Sequence, residues 1–197
     1  MVGCSAGKQQ ENEQAQPEGV VVTNTIVAAP DDSWLTYGRT YDEQRFSPLQ
    51  QINAENVAQL GLAWSSDTGQ YRGHETTPLA ANGVMYVTST WSIVHALDAR
   101  TGQVLWVNDP GTPRELGRMA CCDVVNRGVA LWGNSVYVGT VDGRLLRINR
   151  ADGKTLWDVD TRVNNVHYTI TGAPRIINGK VIIGNGGADF GVRGYVS

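Results

Sequence analysis

Residues 82–106, NGVMYVTSTWSIVHALDARTGQVLW, and residues 133–157, GNSVYVGTVDGRLLRINRADGKTLW, are two copies of one unit set 51 residues apart. Tyr86 falls on Tyr137, Val87 on Val138, Leu97 on Ile148, Gly102 on Gly153 and Trp106 on Trp157. A third copy begins at NGKVIIGNGG, residues 178–187, and an earlier partial copy ends at LGLAW, residues 60–64. Self-similarity at a period of roughly 20–50 residues confines a chain to solenoids or propellers, because each unit buries its apolar face only against the next copy.

Within each copy a short apolar strand meets a Gly-containing turn, then an alternating strand, a tight turn (100–102 and 151–153) and a strand ending in Trp. The segment ahead of each NG pair supplies a fourth strand. Four antiparallel strands repeated every 45–51 residues make a β-propeller blade. A solenoid or a sandwich is the competing arrangement, and the turn spacing and recurring Trp favour the propeller. Composition agrees: 23 glycines and 6 tryptophans against 2 phenylalanines, with no sustained helical period, suit an all-β chain with many tight turns. The one helix expected is short, Ala54 to Leu60, capped by Asn53.

Sixteen basic residues face nineteen acidic ones, with no basic run to follow a phosphate backbone, so nucleic acid is not an expected partner. No apolar stretch reaches the roughly 18 residues of a membrane span. Residues 1–30, rich in Gln, Glu, Gly and Pro, read as a flexible leader, and residues 31–197 as the folded part. The opening MVGCS resembles the end of a bacterial lipoprotein signal, which would make Cys4 a membrane tether; a trimmed start is the alternative.

Candidate site residues come from aligning the segments ahead of each innermost strand: HETTPLAANG (74–83), NRGVALWGNS (126–135) and TGAPRIINGK (171–180). Glu75, Arg127 and Thr171 stand together at the leading ends of these strands, so three blades deliver a carboxylate, a guanidinium and a hydroxyl to one mouth of the central channel. Arginine suits a planar carboxylate ligand, since its fork donates two parallel hydrogen bonds. In GNGGAD, residues 184–189, Gly186, Gly187 and Ala188 have little or no side chain, so a flat ligand could approach the backbone; an ordinary turn is the alternative. His74, His95 and His167 share no metal-ligand spacing; His95, in SIVHAL, reads as a half-buried structural residue. Trp64, Trp106 and Trp157 read as blade-packing anchors.

The stretch RELGRMACCDVVNRG carries Cys121 beside Cys122. Adjacent Cα atoms across a trans peptide lie about 3.8 Å apart, under the about 4.4 Å lower bound of relaxed disulfides. A bond between these two would be strained and would close almost no chain, so a role in local shape or in redox chemistry explains it better than a stabilising staple.

ALDARTGQVLW, of form A-x-D-x-x-T-G-x-x-x-W, resembles the tryptophan-docking repeat of the pyrroloquinoline quinone (PQQ) dehydrogenases, whose propellers have eight blades. MACCDVVNRG, GHETTP and TITGAP match that family's cofactor-contacting stretches, and the likeness is nearest to the PQQ alcohol dehydrogenases with an added cytochrome c domain. Eight blades of about 50 residues need about 400, so the chain is expected to be the first two to three blades of a longer propeller and inactive by itself.

The resemblance implies Glu75, Cys121, Cys122, Arg127, Thr171, Gly186, Gly187 and Ala188 as PQQ contacts, with a Cys121–Cys122 disulfide packed on the face of the quinone. It implies Ca²⁺ at Asp189, where the family carries glutamate; the shorter side chain predicts weaker calcium binding. The implied reaction oxidises a small alcohol to an aldehyde or ketone by hydride transfer to quinone C5, with Ca²⁺ as Lewis acid and cytochrome c or a quinone as electron acceptor. The catalytic base and any haem c are expected outside these residues. A disulfide points to the bacterial periplasm, with anchoring through Cys4. The rival from another class is a non-enzymatic propeller lipoprotein of the outer-membrane assembly type, which has no need of a cysteine pair or an inward Arg; a membrane-bound sugar dehydrogenase of the same superfamily fits less well, since that branch lacks the pair.

Overall fold

The computed structural model describes residues 26–164 and 167–197. Two four-stranded antiparallel sheets follow one another along the chain. The first runs β1 (Leu79–Ala81), β2 (Val84–Thr88), β3 (Val94–Asp98) and β4 (Val104–Asn108), paired in that order. The second repeats it with β5 (Ala130–Trp132), β6 (Ser135–Gly139), β7 (Arg144–Asn149) and β8 (Thr155–Asp160). A third sheet holds β9 (Arg175–Ile177) and β10 (Lys180–Ile182). Its next strand has begun: Ile183 and Ser197 exchange both backbone hydrogen bonds at 2.9 Å, and Gly184 bridges Val196. Two complete propeller blades and the opening of a third are therefore in place.

The 51-residue offset extends to irregularities. In the first blade the β3–β4 register shifts between Ala96 and Leu97, and in the second the β7–β8 register shifts between Arg147 and Ile148. Each bulge leaves one residue of the outer strand unmatched, Leu105 or Leu156, and re-aims the tryptophan that follows. Trp106 then crosses to the next blade, where its indole N–H donates to the Arg150 carbonyl at 3.0 Å. Gly153, with φ 73°, gives the ring a flat seat, since a Cβ there would stand 2.7 Å from it. Trp64 sits likewise on Gly102, so the recurring turn glycine and the recurring Trp are the two halves of one blade-to-blade joint. In the first blade Asp98 braces the turn, its Oδ1 accepting from the backbone N–H of Arg100 and Thr101 and from the Thr101 hydroxyl.

The shared core lies between the blades and is built from Leu79, Tyr86, Val94 and Ala96 of the first with Leu131, Val136, Val138, Leu146 and Ile148 of the second. Outer strands β4 and β8 are largely exposed, whereas the residues of β1 and β5 are mostly buried. Across the inner strands runs the amino-terminal arm. Trp34 exchanges two backbone bonds with Ala80 at 2.8 and 2.9 Å, and the Tyr41 hydroxyl donates to the Ile176 carbonyl at 2.8 Å. Packed chain thus reaches back before the expected start at Asp31, because Ile26 is 1% exposed within the core. The rest of the expected leader, Cys4 included, lies outside the described residues.

The helix expected at Ala54–Leu60 is replaced by one 3₁₀ turn, Val57–Gln59. Asn53 does turn the chain, its Oδ1 accepting from Glu55 N–H and its carbonyl from Val57 N–H. Residues 51–62 are otherwise mostly exposed, and a helix this short needs an apolar face packed on the protein to persist.

Candidate functional site

Three of the residues singled out from the repeat meet at one point. Arg127 places Nη2 at 2.8 Å from Glu75 Oε2 and donates from Nη1 to Thr171 Oγ1 at 2.6 Å. Its main chain is fastened to the same neighbours: Arg127 N–H donates to the Thr171 carbonyl at 2.9 Å, and Thr77 N–H to the Arg127 carbonyl at 3.2 Å. One arginine therefore stitches the leading edges of three successive sheets. These contacts use two of the guanidinium's five N–H donors, and the side chain is 41% exposed. At that exposure the ion pair adds little to stability. Its effect is to hold the partly exposed guanidinium in one orientation.

Counting back from each innermost strand, Glu75 and Thr171 stand four residues ahead of Leu79 and Arg175, while Arg127 stands three ahead of Ala130. The strict equivalent in the second blade is Asn126, a residue the sequence reading passed over although it lies 51 positions after Glu75. Asn126 is 1% exposed, with its side-chain N–H₂ donating to Ser92 Oγ (3.1 Å) and the Gly139 carbonyl (2.8 Å) while its Oδ1 accepts from Gly128 N–H (3.0 Å). Gly128, at φ 126°, completes the bend, since a Cβ there would press within 3.1 Å of the Thr77 carbonyl oxygen. The buried amide locks the backbone on which Arg127 swings outward.

Thr171 links this cluster to a cavity of about 60 Å³ whose walls include Cys121, Cys122, Gly186, Gly187 and Asp189. Residues 121, 171 and 189 thus converge from three separate loops. Asp189 is carried in by the 3₁₀ turn Ala188–Phe190. Ala188 opens that turn and is not among the cavity walls. Gly186 pairs with Thr169 in an antiparallel bridge. Gly187, at φ 127°, is required by its own surroundings: a Cβ would come within 2.4 Å of the His167 carbonyl oxygen. Backbone crowding is by itself enough to require glycine at this position, which also walls the cavity.

The two thiols are unbonded, with their sulfurs 2.9 Å apart. A hydrogen bond shared with Cys122, and then one to the Asp189 carboxylate, push the Cys121 thiol up to about 11, because both favour the protonated sulfur. His95 is buried, with Nε2 at 3.0 Å from Ser89 Oγ, and burial first, then the His74 charge, hold its pKa below the ordinary range. It braces a strand end, as expected of a structural histidine.

Residues 34–193 match the PQQ glucose/ethanol/alcohol dehydrogenase β-propeller domain. The sequence is 56% identical over 175 residues to quinohemoprotein alcohol dehydrogenase ADH-IIG of Pseudomonas putida, covering 87% of this chain and 24% of that protein. It is 53% identical over 178 residues to the 1-butanol dehydrogenase (cytochrome c) of Thauera butanivorans, covering 90% and 26%. The fold superposes on the P. putida ADHIIG structure with a TM-score of 0.88, over 90% of this chain and 26% of that one. Against the quinohemoprotein alcohol dehydrogenase of Comamonas testosteroni the TM-score is 0.86 at 52% identity, over 89% and 27%. The chain spans about a quarter of the length of these relatives.

Proposed function

Because the chain belongs to the PQQ glucose/ethanol/alcohol dehydrogenase β-propeller family, we propose that it forms one side of the quinone pocket of a PQQ-dependent alcohol dehydrogenase. The observation that carries this reading is the Arg127 fork, held by Glu75 and Thr171, with Thr171 also walling the cavity of Cys121, Cys122 and Asp189. Arg127 would grip a ring carboxylate through its free edge, and the cysteine pair would give a flat sulfur surface for one face of the ring. When bound, the quinone would supply the two-electron acceptor for oxidation of an alcohol to an aldehyde or ketone.

One guanidinium stands with two carboxylates, Glu75 and Asp189, so a polycarboxylate fits only with further positive charge beside it. A cation at Asp189 meets that need, and Ca²⁺ suits its hard oxygens. Among the described residues no cluster of three or more His, Cys, Asp or Glu could hold a metal. Asp189 would therefore contribute one or two of the roughly six to eight oxygens that calcium takes, with the remainder from elsewhere in the full-length protein. Asp reaches less far than Glu, and weaker calcium binding follows.

Names of the relatives support cytochrome c or a quinone as electron acceptor and a haem in the full-length protein; that haem is proposed to be haem c. A Cys121–Cys122 disulfide in the working enzyme, the bacterial periplasm as its compartment and a tether through Cys4 complete the proposal. Full-length protein loaded with PQQ and Ca²⁺ should show a bound-quinone absorbance and alcohol-dependent dye reduction, while residues 1–197 alone should reduce no dye. Absence of any bound quinone in the full-length protein would reject the reading.

A further inference from the structure

The cysteine loop hangs from a tryptophan that the repeat does not explain. Trp91 lies 51 residues before Asp142, and Ser92 before Gly143. In the second blade this turn is ordinary, with glycine supplying the positive φ (81°) at Gly143. In the first blade two successive side-chain-bearing residues take left-handed backbone, Trp91 at φ 65° and Ser92 at φ 63°. Such strain persists only where surroundings over-determine it.

The surroundings here are the two flanks of the cysteine pair. Trp91 N–H donates to the Val124 carbonyl at 2.9 Å, and the Trp91 carbonyl accepts from the Thr112 hydroxyl at 3.2 Å. Between those two anchors run Cys121 and Cys122. The buried indole packs on Val124 and Ala120, and a Cβ on Gly117 would stand 2.9 Å from it. The Arg114 and Arg72 guanidinium carbons lie 4.5 and 5.9 Å from the ring centre. Arg72 also places Nη2 at 2.6 Å from Oδ1 of Asp123, the residue next to Cys122, which is itself at φ 70°. Arg72 precedes Glu75 by three residues, and Glu75 pairs with Arg127. Arg127 is thus paired with Glu75, which lies three residues along the chain from Arg72, and Arg72 touches both the Trp91 ring and Asp123 at one end of the cysteine loop.

We propose that Trp91, with Arg72 and Asp123, is the positioning unit that fixes where the Cys121–Cys122 pair stands relative to the Arg127 fork. Its importance for a quinone rests on the reading above; the placement of the cysteines does not. In full-length protein free of PQQ and reduced with a phosphine, the rate of iodoacetamide alkylation at Cys121 and Cys122 is read by mass spectrometry at one pH. Both thiols are already exposed, so W91L should raise that rate about tenfold by freeing the loop and parting the two sulfurs now held 2.9 Å apart, and W91F should bring it back near wild type. R72Q should raise it less, and combining Arg72→Asp with Asp123→Arg should restore it. The Arg72 side chain is 53% exposed, so R72Q leaves the core intact and decides the matter if W91L does not fold. Wild-type alkylation rates in correctly folded W91L and R72Q, or in R72Q where W91L fails to fold, overturn the proposal. Wild-type protein that binds no PQQ would instead remove the quinone reading and leave this measurement intact.

Discussion

Arg127 is bonded twice to Thr171, through its guanidinium to the hydroxyl at 2.6 Å and through its backbone N–H to the carbonyl at 2.9 Å. The second bond survives any change of side chain, so the loop keeps its path while the fork is altered. R127K should therefore fold normally, with a thermal midpoint close to wild type, because the exposed ion pair contributes only about 0–1 kcal/mol. PQQ affinity of the full-length protein should fall about tenfold or more, since a charged hydrogen bond contributes about 1.5–3 kcal/mol. Quinone titration of R127K beside T171V checks this, and T171V should lose less.

Asn126 satisfies three buried groups at once, the Ser92 hydroxyl, the Gly139 carbonyl and the Gly128 N–H. N126A should destabilise by about 1–3 kcal/mol per group left unpaired, with partial relief where water enters. Denaturant unfolding measures the loss. Quinone affinity should fall in parallel, as Arg127 loses the backbone it stands on.

Gly153→Ala should be among the most damaging single-methyl changes in the chain. The methyl would stand 2.7 Å from the Trp106 ring on a backbone of φ 73°, combining left-handed strain with a clash. A loss of about 1–3 kcal/mol is expected from each. A shift in tryptophan fluorescence should accompany it, since the indole is driven off its seat.

The Cys121 thiol holds its proton more tightly than usual, its pKa raised from 9.0 to about 11. A raised value means the thiolate is scarce until the pH passes the folded pKa. In reduced protein the alkylation rate at Cys121 should therefore keep climbing through pH 9, with its midpoint near 11. D189N removes the carboxylate that accepts from the thiol, so its profile should move to lower pH. An inflection at the ordinary thiol value in both proteins would contradict the Asp189 contact.

Much of the site was legible because the repeat is a coordinate system. Glu75, Arg127 and Thr171 lie far apart in the chain, yet each stands just ahead of an innermost strand, and placing strands around an axis brings their leading ends together. The same arithmetic, applied strictly, points to Asn126. The short helix failed for the converse reason: Ala54–Leu60 has the local residues of a helix, and nothing packs on it.

By itself the sequence determined the blade: the period, the turn glycines and the alternating strands are local, and each is enforced by steric rules acting over a few residues. Tertiary structure alone decided why Gly187 must be glycine, why Trp91 and Ser92 both hold left-handed backbone, and which groups surround the cysteine pair. These depend on atoms brought close by closure of one blade on the next. Distances of that kind have no trace in spacing along the chain, because the contacts that set them are made by loops outside the repeat.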